Sequence, residues 1–146
     1  MVNATSPDLS AFKARGHKLI AFHGWGDWLV PPQESLNYYG SVAKAQAAAA
    51  RGHERSTEQE TQSFYRLFMV PGMSHCSGGP GLNTVDLLPS LELWVEQKIA
   101  PESVIAKRVD EGKTVLTRPL CPYPKTARYN GTGDAANFFC ANPSQK

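Results

Sequence analysis

Two apolar runs divide the first half of the chain. Lys18-Leu19-Ile20-Ala21-Phe22-His23 and Phe64-Tyr65-Arg66-Leu67-Phe68-Met69-Val70 are short, β-branched or aromatic in character, and each stops at a glycine-containing loop. Runs of this length bounded by glycine predict buried strands over 18–23 and 64–70. Between them the period changes. Leu36, Tyr39, Ala43, Ala47 and Ala50 recur at helical spacing behind Pro31-Pro32-Gln33-Glu34, which suits a first helical turn. A helix over about 33–50 is predicted, ended by Arg51-Gly52, with Gly40 as a weak point inside it. Residues 53–62 are entirely polar and predict a solvated loop. Residues 8–16 predict a short helical or turn segment with Gly16 as its stop.

Downstream of the second run, Thr84-Val85-Asp86-Leu87-Leu88-Pro89 predicts the opening of another helix. It carries Leu88, Leu91, Trp94, Val95 and Ile99 on one apolar face and is followed by Pro101. Val104–Val109 and Thr114–Pro119 read as strand-like pieces, and residues from about 115 to 146 as an irregular tail. The order is strand, helix, strand, helix. A strand–helix–strand crossover makes the two strands parallel with a right-handed connection. If adjacent they lie about 4.8 Å apart, and both end at the same sheet edge, where open α/β sheets bind ligands. That edge carries Asp27 in the loop Gly24-Trp25-Gly26-Asp27 and His75 in the loop Gly72-Met73-Ser74-His75-Cys76.

Composition narrows the possibilities. With 146 residues, 41% of them hydrophobic and 19% charged, the chain suffices for one modest domain with a core. A net charge of +2 without a basic stripe argues against nucleic acid as partner. The apolar runs fall well short of a membrane span, and Met1-Val2-Asn3-Ala4-Thr5-Ser6-Pro7 lacks the apolar core of a signal peptide. Two N-x-T sequons, at Asn3 and Asn130, are weak support for secretion. Three cysteines are an odd number. Cys121 and Cys140 lie in Pro- and Gly-rich sequence and can close a loop together, which leaves Cys76 either as a buried thiol or as half of a bond to another segment.

The residue types at the shared edge suit acyl transfer. A histidine base takes a proton from a nucleophile, and a carboxylate fixes the base's tautomer. Asp27 and His75 fit those roles in the chain order Ser…Asp…His of α/β-hydrolases. The plain alternatives are a loop histidine that bonds backbone and an aspartate that caps a turn ahead of Pro31. A nucleophile is harder to find. No G-x-S-x-G elbow exists here; Gly72-Met73-Ser74-His75-Cys76 comes nearest, but Ser74 abuts the proposed base. Cys76 beside His75 is poorly arranged, because neighbouring loop side chains point apart. His17, His23, His53, His75 and Cys76 show no zinc-ligand spacing, so neither metal nor other cofactor is expected. Trp25, Trp28, Tyr38 and Tyr39 read either as core and wall residues or as an aromatic-lined pocket.

Leu19-Ile20-Ala21-Phe22-His23-Gly24-Trp25-Gly26-Asp27-Trp28-Leu29-Val30-Pro31-Pro32, with Ser35 and Tyr38-Tyr39, resembles the acid-residue segment of the tannase and feruloyl esterase family. Val70–Gly81 resembles its base segment, and Thr117–Pro124, Ala127-Arg128-Tyr129 and Gly131–Asp134 resemble its tail. The resemblance covers nearly the whole chain. It implies an α/β class and a partial α/β-hydrolase fold, the C-terminal strands and helices of a mostly parallel sheet, in a single domain over 1–146 closed by a Cys121–Cys140 disulfide. It implies Asp27 as acid and His75 as base of a serine carboxylesterase acting on feruloyl or galloyl esters. It makes Cys76 half of a disulfide whose other cysteine immediately precedes the nucleophilic serine. That Cys-Ser pair is absent from these residues, as are the inserted lid domain and its calcium site. The missing N-terminal part of such an enzyme is therefore the expected partner, beside a small aromatic ester. Secretion is implied by the family. The alternative is a non-catalytic, truncated remnant of such an esterase, which the coding sequence upstream of Met1 discriminates.

Overall fold

The computed structural model describes residues 5–49, 57–131 and 137–143. The two apolar runs are strands β1 (Leu19–Gly24) and β2 (Tyr65–Val70), joined through α2 (Pro32–Ala49) and α3 (Thr57–Gln62) and preceded by α1 (Ser10–Ala14). They pair in parallel, from Leu19 opposite Tyr65 to Gly24 opposite Val70, so both carboxyl ends leave the sheet together. β2 is buried on both faces, and its alternation distributes the core. Tyr65 and Leu67 join Tyr39, Val42 and Phe64 on the α2 side. Phe68 and Val70 join Met73, Leu82, Val104, Ala106 and Leu120 on the other. The outer edge of β2 is closed by the 122–123 segment, where Phe68 bridges Pro122 and the Tyr123 N–H donates to the Leu67 carbonyl at 2.8 Å.

The second half departs from a mostly parallel sheet. β3 (Thr84–Val85), β4 (Val104–Asp110) and β5 (Lys113–Leu120) form an antiparallel sheet in the order β3-β4-β5, and β6 (Thr126–Tyr129) pairs antiparallel with β7 (Phe138–Ala141). β4 and β5 are joined by a two-residue turn, Glu111-Gly112, with φ of 49° and 76°. Positive φ at both positions is the hairpin turn that matches strand twist, and a link this short can only reverse the chain. Pro119 is tolerated because, among the described residues, β5 pairs only with β4 and its other edge needs no donor. The tail from 115 is thus largely strand rather than irregular.

Two further expectations are corrected. Part of the polar 53–62 stretch is helix α3, with Thr61 and Gln62 buried; residues 53–56 lie outside the described residues. Its polar groups are satisfied locally. Thr61 Oγ1 donates to the Thr57 carbonyl at 2.9 Å, and Gln62 Nε2 to the Tyr123 carbonyl at 3.2 Å. α4 runs Leu88–Gln97 and not from Thr84, because Thr84 and Val85 pair with Lys107 and Ala106. Of its expected apolar face only Trp94 is buried, beneath the cations of Lys18 and Arg66 at 5.2 and 5.3 Å, while Leu88, Val95 and Ile99 are exposed. Among the described residues no helix is long and apolar enough to cross a membrane.

Cys121 and Cys140 are bonded, with Cα atoms 5.6 Å apart across 19 residues, and Cys76 is exposed and free. The bond ties the end of β5 to β7. Closing a loop of this size in the unfolded chain is worth on the order of 3 kcal/mol in the chain-entropy account. Alkylation without reductant should therefore label Cys76 alone, and reduction should lower the unfolding midpoint. Labelling of Cys121 or Cys140 in the unreduced protein would refute this pairing.

Candidate active site

The site is built where β1 and β2 end. The Trp25 N–H donates to the Val70 carbonyl at 2.9 Å and extends the ladder one step past β1. The Gly26 N–H then donates to the Met73 carbonyl at 2.9 Å, locking the Asp27 loop to the His75 loop. This approach requires glycine at 24, where a Cβ would stand 2.3 Å from the Met73 carbonyl oxygen and 2.5 Å from that of Ser74. The His75 loop is closed by its own backbone: the Ser74 N–H donates to the Gly78 carbonyl at 3.1 Å and that of Ser77 to the His75 carbonyl at 2.8 Å. Gly79, with φ of 92°, packs where a side chain would strike Gly72 and Ser74. Cys76 takes the left-handed region without being glycine, at φ 61°.

Asp27 and His75 meet. His75 Nδ1 lies 2.8 Å from Asp27 Oδ2, with the carboxylate only 4% exposed and the imidazole 43% exposed. The other oxygen, Oδ1, accepts the N–H groups of Leu29 at 2.9 Å and Val30 at 3.0 Å in an Asx-type turn. The turn alternative for Asp27 therefore holds in part, since Asp27 organises a turn and pairs with histidine at once, while the His75 ring bonds a carboxylate and not backbone. Burial by itself would raise the Asp27 pKa; hydrogen bonds from the Val30 N–H, the His75 ring and the Leu29 N–H, with the charge of His75, outweigh it and bring the value to about 2. A carboxylate accepts and cannot donate, so the proton of a neutral His75 sits on Nδ1 and Nε2 is bare. No hydrogen bond occupies Nε2 among the described residues. The ring lines a cavity of about 180 Å³ with Phe22, Gly24, Val30 and Cys76. This arrangement can take up a proton at Nε2 and stabilise the resulting cation through Asp27.

The depressed Asp27 pKa has a consequence for stability. The group binds its proton more weakly folded than unfolded, so its contribution is fully present above the unfolded value near 3.8 and is lost as pH falls through about 2. Acid titration of the wild type should show this limb, and Asp27→Asn should remove it. An identical acid limb in both proteins would contradict the ionised, hydrogen-bonded state of Asp27.

Other residues singled out in the sequence lie elsewhere. Tyr39 is core, packed against Tyr65 and Tyr123, and Trp28 is 77% exposed. Trp25 lines a separate cavity of about 300 Å³ with Met69, Pro71, Leu120 and Tyr123. His23, considered in the sequence only as a metal ligand, proves to be part of the site. Its Nε2 lies 3.2 Å from Asp27 Oδ2 and 3.1 Å from the Val30 carbonyl, and its Nδ1 lies 2.6 Å from Ser35 Oγ. The signal available was its place at the end of an apolar run four residues ahead of Asp27.

A parallel strand pair delivering an acid and a histidine to one carboxyl edge is the geometry of an α/β-hydrolase-like protein. Residues 1–141 match the Tannase and feruloyl esterase family, and the chain belongs to that family. It is 42% identical over 166 residues to an uncharacterized esterase of Xanthomonas campestris, covering 97% of this chain and 29% of that protein. It is 44% identical over 146 residues to the mono(2-hydroxyethyl) terephthalate hydrolase of Piscinibacter sakaiensis, covering 96% of this chain and 22% of that protein. The fold superposes on the crystal structure of feruloyl esterase B from Aspergillus oryzae with a TM-score of 0.82 at 28% identity, covering 94% of this chain and 29% of that one. The chain thus spans 22–29% of the length of these curated relatives.

Proposed function

We propose that this chain supplies the acid and base of a serine carboxylesterase of the tannase and feruloyl esterase type, which cleaves esters of aromatic carboxylic acids. The observation that carries the reading is the 2.8 Å contact between Asp27 Oδ2 and His75 Nδ1 at the ends of two parallel strands. As the resemblance to the family implies, this reading places the nucleophile on a serine outside these residues, in the remainder of a longer enzyme. His75 Nε2 takes the serine proton as its oxygen attacks the ester carbonyl, and Asp27 holds the imidazolium in place. The same proton then passes to the leaving alcohol. Water, deprotonated by His75, releases the acid from the acyl-serine. Cys76, exposed beside His75, is the thiol that the family pattern bonds to a cysteine next to that serine. The Cys121–Cys140 bond fits an oxidising, extracellular setting.

Relatives named for feruloyl esters and for a terephthalate monoester share an aromatic acid group, which supports aromatic-acid esters as the substrate class. The test compares the chain alone with a chimera in which it replaces the matching segment of a full-length esterase relative. Methyl ferulate, methyl gallate and p-nitrophenyl acetate serve as substrates. The chimera should turn over the aromatic esters, and the chain alone should not. Without the elbow it lacks the covalent route and an oxyanion-hole N–H, the latter alone worth on the order of 100- to 1000-fold. Robust hydrolysis by the chain alone would overturn this assignment and make Ser74 and Cys76 the first residues to mutate.

A further inference from the structure

We infer that His23 is a positioning residue for Asp27, fixing the carboxylate through a locked imidazole tautomer; this rests on the acid–base reading of Asp27 and His75. Three partners determine the state of the ring. The Val30 carbonyl, 3.1 Å from Nε2, can only accept, so Nε2 carries the proton and donates to it. Nδ1 is then bare and accepts the Ser35 hydroxyl at 2.6 Å. Ser35 belongs to the first turn of α2, and His23 to the end of β1. The side chain of His23 is 11% exposed, and the proton-bearing Nε2 also stands 3.2 Å from Asp27 Oδ2, the oxygen that receives His75.

Val30 links the two side chains through both of its backbone polar groups. The Val30 N–H donates to Asp27 Oδ1, and the Val30 carbonyl accepts from His23 Nε2. The loop carrying the acid is thereby pinned to β1 and, through Ser35, to α2. Asp27 Oδ2 lies between two imidazole N–H groups, one from each strand end. Rotation of the carboxylate away from His75 would give up the Asx turn and the electrostatic contact with His23 together. His23 touches neither the reacting atoms nor the His75 ring in this scheme; it acts through Asp27.

The experiment uses His23→Phe, His23→Gln and Ser35→Ala, each in the chain and in the chimera. Imidazole nitrogen NMR of the wild-type chain should show a protonated Nε2 and a bare Nδ1 on His23. His23→Phe should speed exchange of the His75 Nδ1 proton, and His23→Gln, whose amide can donate from the same place, should restore its protection. In the chimera His23→Phe should lower kcat with KM unchanged, on the order of 10- to 100-fold, the scale seen when an outer partner of a metal-bound histidine is removed. His23→Gln should recover most of it. If His23→Phe does not fold, Ser35→Ala decides: the His23 ring should keep its Nε2 proton but lose its tie to α2, and the His75 proton should exchange faster. A Nδ1-protonated His23 in the wild type, or an unchanged His75 proton in His23→Phe or in Ser35→Ala, would overturn the proposal. The NMR result is independent of turnover, so an inactive wild-type chimera would count against the esterase reading and leave the positioning role standing.

Discussion

In the chimera, His75→Ala should lower kcat on the order of 10⁶-fold and Asp27→Asn about 10⁴-fold. The larger loss follows from chemistry. Without His75 no group takes the serine proton or returns it to the leaving alcohol, and the members of a triad act as a unit, so the serine alone recovers little. The smaller loss follows from geometry. Asp27 Oδ2 accepts from Nδ1 and so leaves Nε2 bare. The amide of Asp27→Asn can present an N–H instead, which favours the opposite tautomer and puts the proton on the nitrogen that must receive one. Equal loss in kcat and kcat/KM would locate both effects in the transition state. Activity within tenfold of wild type in His75→Ala would remove His75 from the mechanism.

Gly24→Ala should damage both fold and site although it adds one methyl group. The new Cβ would fall 2.3, 2.5 and 2.8 Å from the Met73 oxygen, Ser74 oxygen and Met73 carbonyl carbon. All three are backbone atoms, so no side chain can rotate aside. The base loop must retreat, straining the Gly26 N–H bond to Met73 and separating His75 from Asp27. Overpacking of this kind costs about 1–3 kcal/mol, and a displacement near 1 Å at reacting groups about 10²-fold in rate. Gly40→Ala is the control. It lies inside α2 with nothing within 4 Å of its Cβ position, and should stabilise the chain by about 0.5–1 kcal/mol. Denaturant unfolding of the two variants, with chimera turnover beside it, checks the contrast. Equal stability in Gly24→Ala and wild type would mean that the two loops do not meet as described.

The elements that position the site are those written most plainly in the chain. β1 and β2 are short, mostly apolar runs, β2 being covered on both faces, and the helical period of 36–47 forces the crossover that makes them parallel. From these alone Asp27 and His75 fall on one edge. What was not legible has particular physical causes. α3 has no apolar face, since its buried Thr61 and Gln62 are satisfied by hydrogen bonds and not by hydrophobic packing. β3 is two residues long and takes its conformation from pairing with β4, where local periodicity says nothing. β6 and β7 are four residues each among prolines and glycines; they take their conformation from pairing with each other and from the disulfide that ties β7 to the end of β5. His23 was missed because its partner Ser35 is the fourth residue of α2, and only folding brings that hydroxyl against the ring that lies beside Asp27.

Asp27 holds His75 with its proton on Nδ1 and leaves Nε2 free to receive another. Nitrogen-15 NMR of the imidazoles in this chain, at a pH where His75 is neutral, reads that state directly. The account predicts a protonated, hydrogen-bonded Nδ1 and a bare Nε2 on His75, with the preference lost in Asp27→Asn. A proton on Nε2 in the wild type, or a spectrum that Asp27→Asn leaves unchanged, would contradict it.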